Sequence, residues 1–319
     1  MALGGPRLVA LRALGLGDLL TAVPALRALA AAFPHHERVL AAPAPLAPLA
    51  ELIEGPGGSA VDRLAHVHEL QPLPPDLHRA DLAVNLHGRG PQSHRLLLRT
   101  RPARMIGFEH TAIPESAGSP CWRAREHEVE RWCRLLAESG VPADSLRLEL
   151  RPPPGPAPAG VHGATLIHPG AASPARRWPA ERFAAVARSE RARGRGVVVT
   201  GSRHERGLAE EVAKRAGLPA AAVLAGGTDV AGLARAVAAA DRVICGDTGV
   251  AHLATALGTA SVVLFGPTPP AEWGPPASRP RHRALWAGRR GDPHGERAHP
   301  GLLAIEPDTV VAALDTLPR

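Results

Sequence analysis

Short, continuously apolar segments alternate with helix-like segments along most of the chain, and each apolar segment ends at a polar or glycine-containing turn. The pattern is clearest in four predicted strands of the second half: Ala164–His168, Gly196–Thr200, Arg242–Cys245 and Ser261–Phe265. Predicted helices separate them: Pro179–Arg193, His204–Ala216, Val230–Ala240 and Gly249–Leu257. Continuous apolar strands that alternate with helices are typical of a parallel sheet covered on both faces. The sequence therefore predicts an α/β fold.

The first half shows the same alternation less sharply. The predicted strands there are Arg7–Arg12, Val39–Ala42 and Asp81–Leu86, and the predicted helices are Leu19–Phe33 and Glu126–Ser139. We also predict a strand over Ala222–Ala225 and a last helix over Pro307–Leu317. Residues 267–300, rich in Pro, Arg and Gly, give no clear prediction.

A proline-rich run at residues 152–160, P-P-P-G-P-A-P-A-G, separates the two halves. Such a run cannot continue a helix or a central strand, so it predicts an interdomain linker. We expect one Rossmann-like domain over residues 1–151, a second over 161–305, and a final helix over 306–319. Ligands of such folds bind at the carboxyl ends of the strands, so we expect a central cleft that both domains face.

The net charge is divided unequally between these halves. The chain of 319 residues carries 37 Lys+Arg and 30 Asp+Glu, a formal +7. Residues 1–150 contain 16 basic and 16 acidic side chains, whereas residues 151–319 contain 21 and 14. An anionic ligand of the second domain is one explanation, and a solvated basic face is the other.

Composition excludes several classes of protein and site. At 45% hydrophobic residues the chain can bury a core, so disorder is excluded. The cysteines Cys121, Cys133 and Cys245 form no C-x-x-C pair, and the 16 His show no H-E-x-x-H spacing, so we expect neither a disulfide framework nor a metal site. Charged residues interrupt the N-terminal apolar stretch, which excludes a membrane span there. We expect a cytoplasmic protein and leave peripheral contact with the inner membrane face open.

The turn after the first predicted strand contains Gly15-Leu16-Gly17-Asp18. Asp18 falls at or just before a helix start, where a carboxylate caps the first amides. The functional alternative is a general base that accepts the proton of a substrate hydroxyl. The two roles are compatible. Gly17, together with Asn85 and His87 at the end of another predicted strand, is a further candidate for the residues that line the cleft.

A denser polar turn follows the strand Arg242–Cys245: G-D-T-G-V-A-H, residues 246–252. A helix that opens at Thr248 or Gly249 presents free amides and a positive dipole end, which together bind phosphate. His252 lies one turn into this helix, on the same face, and Asp247 would cap the helix or orient neighbouring donors. A capped helix with a packed histidine is the alternative interpretation.

Three further turns follow strands of the same predicted sheet. The first, after His168, ends in Arg176-Arg177, which could clamp a phosphate, although one arginine could instead pair with Glu181. The second, Thr200-Gly201-Ser202, could contact a ribose or base through its hydroxyls. The third follows Phe265. Four such turns at successive strand ends of one sheet predict a nucleotide site.

These motifs resemble glycosyltransferase family 9, the heptosyltransferases of lipopolysaccharide core synthesis. The matching segments are R-L-V-A-L-R-A-L-G-L-G-D-L-L at residue 7, H-E-V-E-R-W-C-R-L-L at 127, H-P-G-A-A-S-P-A-R-R-W-P at 168 and G-D-T-G-V-A-H-L-A-T-A-L-G at 246. The resemblance spans nearly the whole chain. It departs from the family at Ala171 and Ala172, where some members have Ser or Thr, and at Arg176, where the family commonly has Lys.

The resemblance implies a glycosyltransferase-B fold with an acceptor domain followed by a nucleotide-sugar domain. The implied reaction is inverting transfer of a sugar, heptose from ADP-heptose, without a metal or other cofactor. Asp18 matches the family's candidate base. Arg176 and the turn Asp247, Thr248, Gly249 and His252 match its diphosphate-binding residues. The acceptor would be a glycan, a glycolipid or a natural product.

Two other functions fit the same residues. A sugar-nucleotide epimerase of the same architecture would turn over its nucleotide sugar without an acceptor. A non-catalytic nucleotide-sugar-binding protein would keep residues 247–252 but would not need Asp18. A nucleic-acid partner is not expected, because aromatics are 3% of the chain and the basic residues lie at strand-end turns.

Overall fold

The computed structural model describes residues 5–318 and divides the chain into two compact units, the first ending at Arg151 and the second beginning at Pro152. The strands of the first unit are β1 Arg7–Leu11, β2 Glu37–Ala42, β3 Glu54–Gly55, β4 Gly58–Ser59, β5 Arg63–His66, β6 Leu82–Asn85 and β7 Arg104–Ile106. Its helices are α1 Leu16–Thr21, α2 Val23–Ala32, α3 Ala47–Ala50, α4 Gln92–Arg99 and α5 Glu128–Glu138.

The first unit is built on a parallel sheet in the order β5-β2-β1-β6-β7. Val9 of β1 lies opposite Val39 of β2 on one side and opposite Ala83 of β6 on the other. Apolar residues of these strands form a buried core with Leu73, Leu77 and other residues. The strand order reverses direction between β1 and β6, which places the loops after these two strands at the switch point where ligands of such folds bind.

The second unit contains the strands β8 Thr165–His168, β9 Val197–Val199, β10 Arg242–Gly246, β11 Ala260–Phe265 and β12 His282–Trp286. Its helices are α6 Ala180–Ala192, α7 Arg206–Ala216, α8 Val230–Ala239, α9 Gly249–Leu257, α10 Pro270–Trp273, α11 Pro300–Leu303 and α12 Pro307–Asp315. The sheet is again parallel, in the order β12-β11-β10-β8-β9, with its switch point between β8 and β10. Both units are therefore Rossmann-like, and the predicted α/β class is confirmed.

The predicted single helix over Leu19–Phe33 is wrong. The chain forms α1 and α2 with Ala22 between them, because Pro24 lies near the start of α2 and has no backbone N–H to continue the earlier helix. The helix starts at Leu16, earlier than predicted. This shift decides the position of Asp18 in its first turn.

The predicted strand over Ala222–Ala225 is reduced to an edge contact. Ala220–Ala222 form a 3-10 helix, and only Val223 makes a parallel bridge, to Val199 of β9. The Leu224 amide also donates to the Val199 carbonyl, at 2.8 Å. Alanine has low strand propensity, which accounts for the short pairing at this edge. Sequence reasoning also missed β5, α4, β7 and β12, whose polar residues interrupt the apolar pattern.

Candidate functional site

The first polar cluster lies at the switch point of the first unit, where β1 ends. The sequence had indicated Asp18 as the N-cap of α1, and that prediction is wrong. Gly15 is the N-cap of this helix, and Asp18 is its third residue. One oxygen of Asp18, Oδ2, accepts a hydrogen bond from the Gly15 amide at 3.2 Å, in the geometry of a capping box. The other, Oδ1, lies 3.4 Å from Nη2 of Arg12.

The Asp18 carboxylate combines partial exposure with a raised pKa. Its side chain is 29% exposed, so a substrate hydroxyl can reach it. Burial raises its pKa above the usual range and Glu128 adds to the rise, while Arg12 and the Gly15 amide oppose it. An exposed carboxylate with increased proton affinity is suited to act as a general base.

Arg12 holds this turn together from beneath, and sequence reasoning missed it. Its side chain is fully buried. The guanidinium donates to the carbonyl of Asp18 at 2.9 Å through Nε, to the carbonyl of Leu86 through Nη1 and to Thr21 Oγ1 at 3.1 Å through Nη2. It therefore ties the loop after β1 to the loop after β6. An arginine directly after the apolar run of β1 was the available signal.

Glu128, the first residue of α5, is the buried counter-charge of Arg12. Its Oε1 accepts from Arg12 Nη2 at 3.1 Å and from Trp132 Nε1 at 3.0 Å, and its Oε2 accepts from Arg131. The guanidinium carbon of Arg12 lies 4.6 Å from the centroid of a Trp132 ring. The segment H-E-V-E-R-W thus contributes to the same switch point as Asp18.

The other acceptor candidates occupy the loop after β6 and the start of α1. Asn85 is buried and bonded internally: its amide nitrogen contacts Ser93 Oγ at 3.0 Å, and its Oδ1 accepts from the His87 amide at 3.0 Å. His87 is half-buried, and its Nδ1 has no hydrogen-bond partner among residues 5–318. Burial, with the nearby Arg12, lowers the pKa of His87 to about 4, so the ring is neutral. Gly17 is half-buried beside Asp18. Asn85 therefore shapes the loop, whereas His87 retains hydrogen-bonding capacity.

The second polar cluster lies at the switch point of the second unit, where α9 begins. Thr248 is the N-cap and Gly249 the first helical residue, as predicted. In the part of the chain that the structure describes, no side chain caps this helix, and the buried Thr248 hydroxyl has only a weak interaction, with the Cys245 thiol. The first amides of a helix have no partners within the helix, so this start offers unsatisfied donors and a positive dipole end.

Arg176 and Asp247 face each other beside this helix start. Nη1 of Arg176 donates to the Asp247 carbonyl at 3.3 Å and lies 4.0 Å from its Oδ2, while the buried Nε has no partner within the described range. Burial raises the pKa of Asp247 to about 6, against the effect of Arg176. Asp247 thus orients Arg176 and does not cap α9. Arg177 donates to the Ala171 carbonyl at 2.9 Å, and the structure records no ion pair with Glu181 among residues 5–318.

His252 lies one turn into α9 and is half-buried. Its ring packs edge-on against Trp273 of α10, with centroids 5.9 Å apart. The neighbouring Glu272 pairs with Arg290 at 2.7 Å. Residues 267–300, which the sequence left without a prediction, therefore supply a wall beside this histidine.

The same segment also braces the turn that carries Arg176. The carbonyl of Gly295 accepts from Ser173 Oγ and from the Ala175 amide, both at 3.0 Å, and the His299 amide donates to the Ala175 carbonyl at 3.2 Å. These contacts join residues 120 or more positions apart in the chain. No local pattern could have shown them.

The two hydroxyl candidates in the turn after β9, Thr200 and Ser202, differ in exposure. Thr200 is fully buried, and its Oγ1 lies 3.1 Å from Nδ1 of His168, so it supports the interior of the unit. Ser202 is exposed, and Glu205 closes a capping box with it by accepting from its amide at 2.8 Å. Ser202 is thus the hydroxyl that this turn presents to solvent.

The described residues were also compared with the requirements of a metal site and of a membrane-spanning helix. Between residues 5 and 318, no group of three or more His, Cys, Asp or Glu side chains is arranged to hold a metal ion. Across the same range, no helix has the length and apolarity needed to cross a bilayer.

Comparison with known proteins identifies the family and the fold. The family model for glycosyltransferase family 9 (heptosyltransferase) matches residues 121–297. A family 9 glycosyl transferase from Veillonella parvula is similar in structure, with 20% identity, a TM-score of 0.77 and coverage of 99% of this chain and 98% of its own. The ADP-heptose LPS heptosyltransferase II of Escherichia coli shows 21% identity, a TM-score of 0.74 and 97% coverage of each chain.

Heptosyltransferase WaaC of E. coli, solved with ADP, shows 18% identity, a TM-score of 0.72 and coverage of 97% of this chain and 99% of its own. No curated protein matches the sequence. The structural similarities confirm the glycosyltransferase-B fold that the resemblance implied.

Proposed function

The chain belongs to glycosyltransferase family 9 (heptosyltransferase) and is a glycosyltransferase with a nucleotide-sugar donor; we propose that the donor is ADP-heptose and that Asp18 is the general base. The reaction is an inverting transfer of heptose to a hydroxyl of a glycan, glycolipid or natural-product acceptor. No metal or other cofactor takes part.

The observation that carries the donor assignment is the uncapped start of α9 beside Arg176. A diphosphate needs several donors and positive charge at one place. The amides of Gly249 and the following residue, the Thr248 hydroxyl and the unpartnered Nε of Arg176 supply them. His252 adds a ring nitrogen on the same face of the helix. Two structural neighbours support the choice of base and sugar for the donor: the ADP-heptose LPS heptosyltransferase II of E. coli and WaaC, solved with ADP.

The reaction balances with these groups alone. The acceptor hydroxyl gives its proton to the Asp18 carboxylate while its oxygen attacks the anomeric carbon of the donor from the face opposite the diphosphate. The bond from that carbon to the phosphate oxygen breaks, and ADP leaves with the electron pair. The helix start, Arg176 and His252 stabilise the charge that develops on the leaving diphosphate. Inversion at the anomeric carbon follows from this single displacement.

The test compares Asp18→Asn with the wild type in two assays. Transfer is measured from ADP-heptose to a heptose-deficient lipopolysaccharide core as the probe acceptor, and ADP binding is measured by calorimetry. We expect a loss of transfer of about 10²-fold to 10⁴-fold, the usual contribution of a general base, with unchanged ADP affinity. Wild-type turnover by Asp18→Asn would refute the assignment of the base.

A matched control and an acceptor-free reaction sharpen the result. Asp144→Asn changes an exposed carboxylate of the same unit, and we expect it to transfer normally. Incubation with ADP-heptose alone tests the epimerase alternative, since an epimerase converts its nucleotide sugar without an acceptor. Conversion of the donor to an isomer under these conditions would contradict the proposed transfer.

A further inference from the structure

Arg12 is shared between two carboxylates, and the sharing is unequal. Its Nη2 lies 3.1 Å from Glu128 Oε1 but 3.4 Å from Asp18 Oδ1. Glu128 is nearly buried, with 6% of its side chain exposed, whereas Asp18 is 29% exposed. Water screens the Asp18 contact more than the Glu128 contact, so the stronger ion pair of Arg12 is with Glu128.

Glu128 is itself fixed by three donors. Arg12 and Trp132 share its Oε1, and Arg131 donates to its Oε2. Arg131 is held in turn by the carbonyls of Arg123, at 3.2 Å, and Glu126, at 3.1 Å. A carboxylate held by three fixed donors cannot turn away from Arg12.

We propose that Glu128 is a positioning residue for the reaction at Asp18: it engages Arg12 and thereby prevents the guanidinium from closing a full ion pair with the base. The inference rests on the proposed role of Asp18. Arg12 is fully buried and cannot itself reach a substrate, so it acts only through the carboxylates that it contacts.

The charges around Asp18 agree with this arrangement. Burial raises the pKa of Asp18; Arg12, the residue after β1, lowers it, and Glu128 of α5 raises it. Arg131 affects Asp18 indirectly, because it neutralises part of the Glu128 charge. His87, which lies beyond Arg12, is neutral. An Asp18 closed against Arg12 would be a weaker base, since its proton affinity would fall.

Two substitutions of α5 should shift the titration of Asp18 in opposite directions. Glu128→Gln removes the negative charge and releases Arg12 toward Asp18, so the titration midpoint of Asp18 should fall by roughly one pH unit. Arg131→Gln leaves Glu128 with more uncompensated charge, so the midpoint should rise. A side chain that only supports the fold would produce neither opposed shift.

The experiment follows the Asp18 carboxyl carbon by NMR in the full chain labelled with ¹³C-carboxyl aspartate. The Asp18 signal is the one that disappears in Asp18→Asn. Glu130→Gln is the matched control: it removes an exposed glutamate from the first turn of the same helix, and its midpoint should equal that of the wild type. Thermal unfolding checks that each variant is folded. If Glu128→Gln does not fold, the shift of the Asp18 midpoint in Arg131→Gln tests the role of Glu128.

Failure of this inference can be told apart from failure of the proposed function. The titration needs neither donor nor acceptor, whereas the transfer assay of Asp18→Asn tests the base itself. Unchanged midpoints in Glu128→Gln and Arg131→Gln, or shifts of the same sign, would overturn the role of Glu128 alone. Active Asp18→Asn would overturn the proposed function and, with it, the relevance of Glu128 to the reaction.

Discussion

Replacement of Arg176 by alanine tests the proposed diphosphate site most directly. The guanidinium lies beside the start of α9, and 22% of the side chain is exposed. One of its nitrogens, Nη1, is engaged by the Asp247 carbonyl at 3.3 Å, a long hydrogen bond, while Nε has no partner among residues 5–318. Arg176 therefore has donors available for a ligand, and alanine removes them together with the charge.

The expected loss follows from the number of hydrogen bonds. A hydrogen bond to a charged group contributes about 1.5–3 kcal/mol. Two nitrogens of the guanidinium can together make two such bonds to a phosphate, but partial exposure screens the charge, so we expect about 3 kcal/mol in total. Since 1.4 kcal/mol corresponds to a factor of ten, the dissociation constant of ADP should rise about 100-fold.

Isothermal titration calorimetry with ADP measures this change without an acceptor. Arg188→Ala is the matched control, because Arg188 is exposed on α6 and its removal changes the net charge of the same unit equally. We expect the control to bind ADP within twofold of the wild type. Arg176→Lys should bind between the two extremes, since lysine keeps the charge but not the fork of donors.

Two results would contradict the reasoning. If Arg176→Ala bound ADP within threefold of the wild type, Arg176 would not contact the diphosphate. If Arg188→Ala lost as much affinity as Arg176→Ala, the effect would come from the overall basic charge of the second unit and not from a built site.

Two predictions concern stability. The pKa of Asp247 is raised to about 6 in the folded protein from an ordinary 3.8, so its ionisation opposes folding, and stability should fall as pH rises from about 4 to 6. Asp247→Asn should remove this part of the pH dependence. The variant should be more stable than the wild type at pH 8 by up to about 3 kcal/mol, and this difference should be lost by pH 4. Chemical denaturation at both pH values measures the free energy of unfolding, and equal stability of the two proteins at pH 8 would refute the prediction. Glu190 is fully buried and accepts hydrogen bonds from Thr165 Oγ1 at 2.6 Å and Arg195 Nη1 at 2.9 Å. Glu190→Ala should lower the free energy of unfolding, measured in urea, by about 3–5 kcal/mol, because it leaves these donors without their acceptor. The exposed Glu181→Ala on the same helix should cost less than about 1 kcal/mol, and a similar cost for both would contradict the buried-charge argument.

The start of α9 shows what sequence reasoning could reach. An apolar strand followed by G-D-T-G predicts a strand, a turn and a helix start within eight residues, and the structure has Thr248 and Gly249 in those positions. The chemistry of a helix start is local, so the phosphate-binding hypothesis needed no tertiary information. Asp18 could be singled out in the same way, although its place in the helix was predicted wrongly because the helix starts at Leu16 and not at Leu19.

The surroundings of these residues could not be predicted. Arg12 and Glu128 are 116 positions apart, and the Ser173 hydroxyl meets the Gly295 carbonyl across 122. Nothing in either segment specifies its partner, because such contacts arise only when the sheets place distant loops at the same switch point. Thr200 illustrates the reverse case, since a hydroxyl at a predicted strand end proved to be buried and bonded inside the unit.

The α/β class, the polar turns and the family can be recognised from the amino-acid sequence, because strand–helix alternation and helix starts depend on residues near one another in the chain. Which carboxylate is exposed, which arginine is buried and how their charges are shared became visible only in the folded chain. Burial and distance set proton affinity and ion-pair strength, and both depend on what the folded chain brings beside each group.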